Sequence, residues 1–269
     1  MSDAQRIIKA LAIALAIFLI VCIIGGILSV AALIGGLSNL QEAATGEQKD
    51  YAVSADITGM QLEIGAADMT IQTGSRFRLE SNLKNLTVKE RNGTLVITEK
   101  SRTFSGNHNH AVLTLTVPEG FVFQTLQLQS GAGRLTADTL STRELDLKLG
   151  AGEAQIGQLN ATNRSDIEGG AGKVTIRSGQ LHDLDLDMGV GELELTAQIT
   201  GDSELNYGVG KSSLTLTGAE EDYWLTIDKG IGSVSLNGEQ VKAGKVYGSG
   251  PNRIDIECGI GEVQIAFSK

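Results

Sequence analysis

The stretch Leu184-Asp185-Leu186-Asp187-Met188-Gly189-Val190-Gly191-Glu192-Leu193-Glu194-Leu195 holds two short alternating runs hinged on Gly-Val-Gly. Strict alternation of apolar and charged residues is the pattern of a strand with one buried side. Glycine on either side of the hinge permits a bend, or a backbone approach that a side chain would block. Read alone, the stretch is one strand, one corner and a second strand.

The same unit recurs in both directions. Its glycine pairs are Gly131/Gly133, Gly150/Gly152, Gly170/Gly172, Gly189/Gly191, Gly208/Gly210, Gly230/Gly232 and Gly259/Gly261, and the second glycines are 19, 20, 19, 19, 22 and 29 residues apart. An earlier copy, Leu62-Glu63-Ile64-Gly65-Ala66-Ala67-Asp68-Met69, has Ala in place of the second glycine. One repeat cannot bury its own apolar side, so repeats of this kind stack into a solenoid. The expected fold is therefore all-β, a right-handed β-solenoid with one coil per 19–20 residues.

Columns across the repeats support parallel stacking. Three residues before each first glycine stand Leu128, Leu147, Ile167, Leu186, Leu205, Ile227 and Ile256. Four after each second glycine stand Ala137, Ile156, Ile176, Leu195, Leu214, Leu236 and Ile265. Both columns are expected to face inward. The residue between the glycines, which grows from Ala132 through Val190 to Ile260, is also expected at an inward corner. The residue after each second glycine reads Arg134, Glu153, Lys173, Glu192, Lys211, Ser233, Glu262. At a strand spacing of about 4.8 Å this makes a ladder of mostly alternating charge that penalises slipped register.

Before the repeats, residues 86–97 read as a hairpin on Asn92-Gly93, residues 101–110 as a polar loop, and residues 111–117 as a further strand. The C-terminal strand, residues 262–267, has no capping helix after it, and an open end invites end-to-end stacking.

The chain has 269 residues, 34 of them Gly and only 2 Pro, with 41% hydrophobic and 4% aromatic residues. Gly without Pro suits many tight bends in a packed fold, and few aromatics suit a thin aliphatic core. A net charge of −10 argues against nucleic acid as a partner. Cys22 and Cys258 stand far apart, one inside an apolar run, so no structural disulfide is expected.

Residues 10–37 carry no charge and follow Arg6 and Lys9. About 20 apolar residues cross a bilayer, whereas a cleaved signal has an apolar core of roughly 7–15. A transmembrane helix is the favoured reading and a signal peptide the rival. The basic residues before the run place residues 1–9 in the cytoplasm, leaving 38–54 as a linker and 55–269 as an extracytoplasmic domain. Ala31, Ala32, Gly35 and Gly36 could let two such helices approach closely.

Motifs with catalytic overtones fail on their surroundings. Gly208-Val209-Gly210-Lys211-Ser212 resembles a phosphate loop, but Leu205 stands where another Gly is needed and a strand follows instead of a helix. Calcium-binding β-roll repeats need an Asp after the glycines and half this period. His108 and His110, with only His182 elsewhere, read as a solvated loop. No nucleophile, base and acid come together, and no enzyme is indicated.

The acidic columns are the candidate site. Four residues before each first glycine stand Gln127, Asp146, Asp166, Asp185, Glu204, Thr226 and Asp255; two before stand Gln129, Lys148, Glu168, Asp187, Asn206, Asp228 and Glu257. Both should face outward. Of these, Asp146, Asp166, Asp185, Glu204, Glu168 and Asp187 could together take Ca2+ or a cationic partner, or be a solvated face that keeps the sheet soluble.

The span from Leu62-Glu63-Ile64-Gly65-Ala66-Ala67-Asp68 through the repeated Leu-x-Leu-x-x-Gly-[Ala/Val/Ile]-Gly resembles the bacterial "putative adhesin" family. The resemblance implies a β-solenoid behind one transmembrane helix, set in the cell envelope. Some members are similar to accessory proteins encoded beside envelope-stress two-component systems. The expected function is thus a non-enzymatic adhesion or interaction module, or an accessory in envelope-stress signalling. An enzyme on cell-wall glycans is the third and least favoured reading.

Overall fold

The computed structural model describes residues 45–99, 111–242 and 245–268. The expected membrane segment (residues 10–37), Cys22, His108 and His110 lie outside the described residues. Among the described residues no helix is long and apolar enough to cross a membrane.

Strands dominate. The N-terminal part contains β1 (Thr45–Tyr51), β2 (Gly59–Gly74), β3 (Arg78–Leu83), β4 (Leu86–Arg91), β5 (Thr94–Glu99) and β6 (Val112–Pro118). The repeats follow as β7 (Phe123–Ile176), β8 (Gly179–His182), β9 (Leu184–Thr200) and β10 (Asp202–Thr217). A short 3-10 turn at Glu220–Asp222 leads to β11 (Tyr223–Asp228), β12 (Ile231–Leu236), β13 (Glu239–Gln240), β14 (Val246–Gly248) and β15 (Asn252–Ser268). The corners bend so gently that β7 runs unbroken through three coils. Part of the stretch read as a linker, residues 45–51, is an edge strand paired with β3.

The glycine corners stack directly, coil on coil, with Val209 opposite both Val190 and Ile260. Side chains of the two expected inward columns are buried throughout, in one continuous aliphatic core. The corner residue corrects the sequence reading. Val190, Val209, Ile231 and Ile260 are 47%, 46%, 58% and 39% exposed. Alternation would have turned Val190 inward, because Met188 two residues earlier is buried. The next buried residue is Leu193, however, so the alternation slips by one position across the corner. The second glycine makes the slip: Gly191 sits at φ +147°, and a methyl group on it would overlap the carbonyl oxygen of Gly172.

The order of the coils in space departs from their order in the chain at both ends. At the C-terminal end β15 pairs in parallel with β10 on one side and with β11 and β12 on the other. The last strand is therefore a middle one and is not the solenoid's open end. The chain steps over one layer through Glu220–Asp222, lays down β11 and β12, then returns to fill the gap. The outer coil is covered by short antiparallel pairings, β13 on β12 and β14 on β11. Short edges of this kind blunt end-to-end addition.

The N-terminal end has a similar clasp. Strand β2 lies between β7 and a coil made of β5 and β6, both of which come after it in sequence. Strands β4, β3 and β1 close that end with antiparallel pairs. The hairpin on Asn92 (φ 49°) and Gly93 (φ 76°) is present as expected. Where the glycine corner lapses at Gly65-Ala66, the neighbouring coil offers a carboxylate in its place. Glu99 Oε2 accepts hydrogen bonds from the Gly65 N–H at 2.7 Å and the Ala66 N–H at 3.3 Å.

Candidate functional site

Both outward columns form as the spacing predicts, on the strand half that precedes the corner. In spatial order the first reads Gln61, Gln127, Asp146, Asp166, Asp185, Glu204, Asp255, Thr226; register pairs Asp166 with Asp185, Asp185 with Glu204, and Glu204 with Asp255. The intercalation of β15 brings Asp255 beside Glu204, so five carboxylates follow one another without a break. The second column pairs Glu168 with Asp187, Asp187 with Asn206, Asn206 with Glu257, and Glu257 with Asp228.

Cations neutralise only one end of this face. Lys148 Nζ donates to Glu168 Oε1 at 2.7 Å and lies 3.7 Å from Asp146 Oδ1. That hydrogen bond, with the Asp146 charge second, holds the Lys148 ammonium above its usual value. Arg164 reaches Asp166 at 3.8 Å. Beyond them Asn206 Nδ2 donates to Asp187 Oδ1 at 3.0 Å and Glu204 Oε1 at 3.2 Å, which orders the carboxylates without cancelling charge. Partial burial first, then the Asp185 and Asp146 carboxylates, push the Asp166 carboxyl up; Lys148 opposes them. The Oδ1 atoms of Asp146 and Asn206 are buried without a hydrogen-bond partner.

The ladder on the other side of the corner behaves differently. Arg134 pairs with Glu153 at 3.4 Å, Lys173 with Glu192 at 3.5 Å and Glu194 at 2.6 Å, and Lys211 with Glu262 at 3.3 Å. The Glu194 carboxyl is lowered by its bond to Lys173, and that of Glu262 by bonds to Gln264 and then Lys211. One side of the corner is internally satisfied. The other carries unbalanced negative charge.

The surroundings offer little room for a small substrate. Clefts along the corner hold about 20 Å3 each, and a shallow one among Gln61, Gln127, Gln129, Asp146 and Lys148 about 120 Å3. Small-molecule sites are usually clefts of about 300–1,000 Å3. Among the described residues no three His, Cys, Asp or Glu side chains converge as a metal ion would require. The Gly208–Ser212 stretch lies in a continuous strand, with Lys211 paired to Glu262 and Ser212 buried, so it builds no phosphate loop. Under the corner, burial pushes the Cys258 thiol up to about 11 and raises the Tyr207 hydroxyl, which has no hydrogen-bond partner. The exposed corner residues were missed because alternation pointed them inward. Their signal was the glycine on each side, which shifts the phase.

A family model described as Toastrack DUF4097 matches residues 57–266. Among solved structures, the chain is similar to a putative cell adhesion protein from Clostridium sporogenes, at 14% identity over 82% of this chain and 99% of that one, with a TM-score of 0.36. It is also similar to a putative adhesin from Bacteroides fragilis, at 13% identity over 81% and 96%, TM-score 0.37. A third is a putative lipid binding protein from Parabacteroides distasonis, at 14% identity over 81% and 96%, TM-score 0.33. No curated protein matches the chain.

Proposed function

The chain belongs to the Toastrack DUF4097 family, and from that premise we propose that it is a non-enzymatic interaction module of the cell envelope. In this reading residues 10–37 anchor it in the membrane and its acidic face meets a cationic partner outside. The observation that supports the reading is the contrast across the corner. The ladder side pairs its own charges, whereas of Asp166, Asp185, Glu204 and Asp255 in adjacent coils only Asp166 has an ion pair among the described residues, with Arg164. Stacked like charges cost energy that a cationic surface would recover. A flat, evenly charged face also fits an extended partner better than a substrate held in a cleft.

The test uses the full chain in vesicles and a defined polycation, poly-lysine on beads, at low and moderate salt. Asp146, Asp166 and Asp185→Asn should cut retention several-fold. Neutralising Glu119, Glu220 and Glu221, exposed residues that belong to neither acidic column, changes net charge equally and should leave retention nearly unchanged. Equal loss in both variants would mean that only net charge matters, and the face would cease to be a site.

A further inference from the structure

Val190, Val209, Ile260 and Ile231 stand in four adjacent coils in that spatial order, as the register of β9, β10, β15 and β12 requires. They are the bulky members of a solvent-facing column that is Ala earlier in the solenoid, at Ala132, Ala151 and Ala171. The result is an aliphatic ridge about four coils long on an otherwise charged surface. Single exposed Val or Ile residues are ordinary, but a contiguous row marks a contact surface.

The charges beside the ridge say what covers it. The flanking ladder alternates along the same coils as Glu192, Lys211, Glu262, Ser233. The midpoint of the ridge falls between Val209 and Ile260. A two-fold axis there, perpendicular to the ridge and lying in the contact plane, runs two ridges antiparallel and sets like flank against like flank. Coils then pair so that Lys211 of each copy faces Glu262 of the other, and Glu192 faces Ser233. On the opposite flank Asn206 faces Glu257, and Asp187 meets Asp228 with Lys229 beside it. A parallel two-fold would instead bring Glu262 against Glu257 and Glu192 against Asp187. Closed two-fold contacts are self-complementary by construction, and only the antiparallel one agrees with these charges. A bilayer fits less well, because the ridge is bordered by carboxylates and carries no excess of Lys or Arg.

We infer that the ridge is the seam of an antiparallel two-fold dimer of this chain, centred between Val209 and Ile260. The seam does not depend on the proposed function, although its far flank runs along the second acidic column at Asp187, Asn206 and Glu257.

The test is disulfide trapping of the full chain in nonionic detergent, with Cys22 and Cys258 replaced by Ala and folding checked by thermal melting. Copies carrying Val209→Cys are mixed with copies carrying Ile260→Cys and oxidised. The dimer predicts a mixed disulfide formed several-fold faster than the Val209→Cys homodimer. Lys211→Glu in the Val209→Cys copy alone should slow it, and Glu262→Lys in the Ile260→Cys copy alone should restore it, although neither copy then keeps its own Lys211–Glu262 pair. A dominant Val209→Cys homodimer would overturn the antiparallel arrangement. Absence of any disulfide, or trapping insensitive to the charge changes, would overturn the dimer itself. So would monomeric chain whose ridge binds lipid vesicles and loses that binding with Val209→Asp.

Discussion

Lys211 Nζ lies 3.3 Å from Glu262 Oε2, although a complete glycine corner at Gly230 and Gly232 separates the two residues in the chain. The contact exists because β15 inserts between β10 and the coil of β11 and β12. In sequence order the ladder reads Lys211, Ser233, Glu262. In spatial order it reads Asp68, Arg134, Glu153, Lys173, Glu192, Lys211, Glu262, with Ser233 last, and the sign alternates at every step. Exposed ion pairs contribute little each, but a ladder that alternates only in one stacking order disfavours the others.

That ladder gives the first prediction. Lys211→Glu places three carboxylates in a row with Glu192 and Glu262 and should lower the melting temperature at low salt. Adding Glu262→Lys should recover most of the loss, and both effects should shrink in high salt. Thermal melts of the two variants at two ionic strengths decide it. No recovery in the double variant would mean that the pair does not interact.

The corners should be far less tolerant than the turns. Gly191→Ala combines a left-handed backbone with an overlap onto the Gly172 carbonyl, and should cost roughly 4 kcal/mol or more. Gly238, at φ +83°, has nothing within 4 Å of the added methyl, so Gly238→Ala should cost only about 1–2 kcal/mol of backbone strain. Denaturant unfolding of the two variants measures the difference. Similar losses would contradict close stacking at the corner.

Acidic pH separates the two faces. The Asp166 carboxyl is raised, so the stability tied to its proton is complete below the ordinary carboxylate range and lost as pH rises through the raised value. Asp166→Asn should therefore raise the melting temperature at pH 7, by about 1–2 °C. The gain over the parent chain should vanish below about pH 4. Lowered carboxyls such as Glu194 act in the opposite sense, contributing above the ordinary range and losing that contribution as pH falls. A gain at pH 7 that persists unchanged into acid would show that removing the partly buried, repelled charge is not its source.

Much of this was legible in the sequence because parallel stacking repeats the same chemical demand at the same offset. The inward columns, the carboxylate columns and the hairpin on Asn92-Gly93 all follow from alternation and turn chemistry. The corner column was misread because alternation was carried through Gly189-Val190-Gly191, where positive φ at Gly191 shifts the phase. The order of the last two coils was hidden for a different reason. The Gly230 and Gly259 corners satisfy one pattern equally well, and a pattern does not say which neighbour a coil stacks on. The spacing held a clue, since intervals of 22 and 29 residues follow four of 19 or 20. The extra residues carry the chain over one layer and back.

The coil order underlies the charge ladder, the unbroken run from Asp146 to Asp255 and the apolar ridge, so its direct test matters most. Hydrogen exchange on the full chain in detergent reports which strands have neighbours on both sides. Residues 254–267 should exchange as slowly as residues 204–216 of β10, while Val246–Gly248 in β14 exchanges much faster. Fast exchange along residues 254–267, beside slow exchange in β11 and β12, would place the last strand at an open edge and contradict the account.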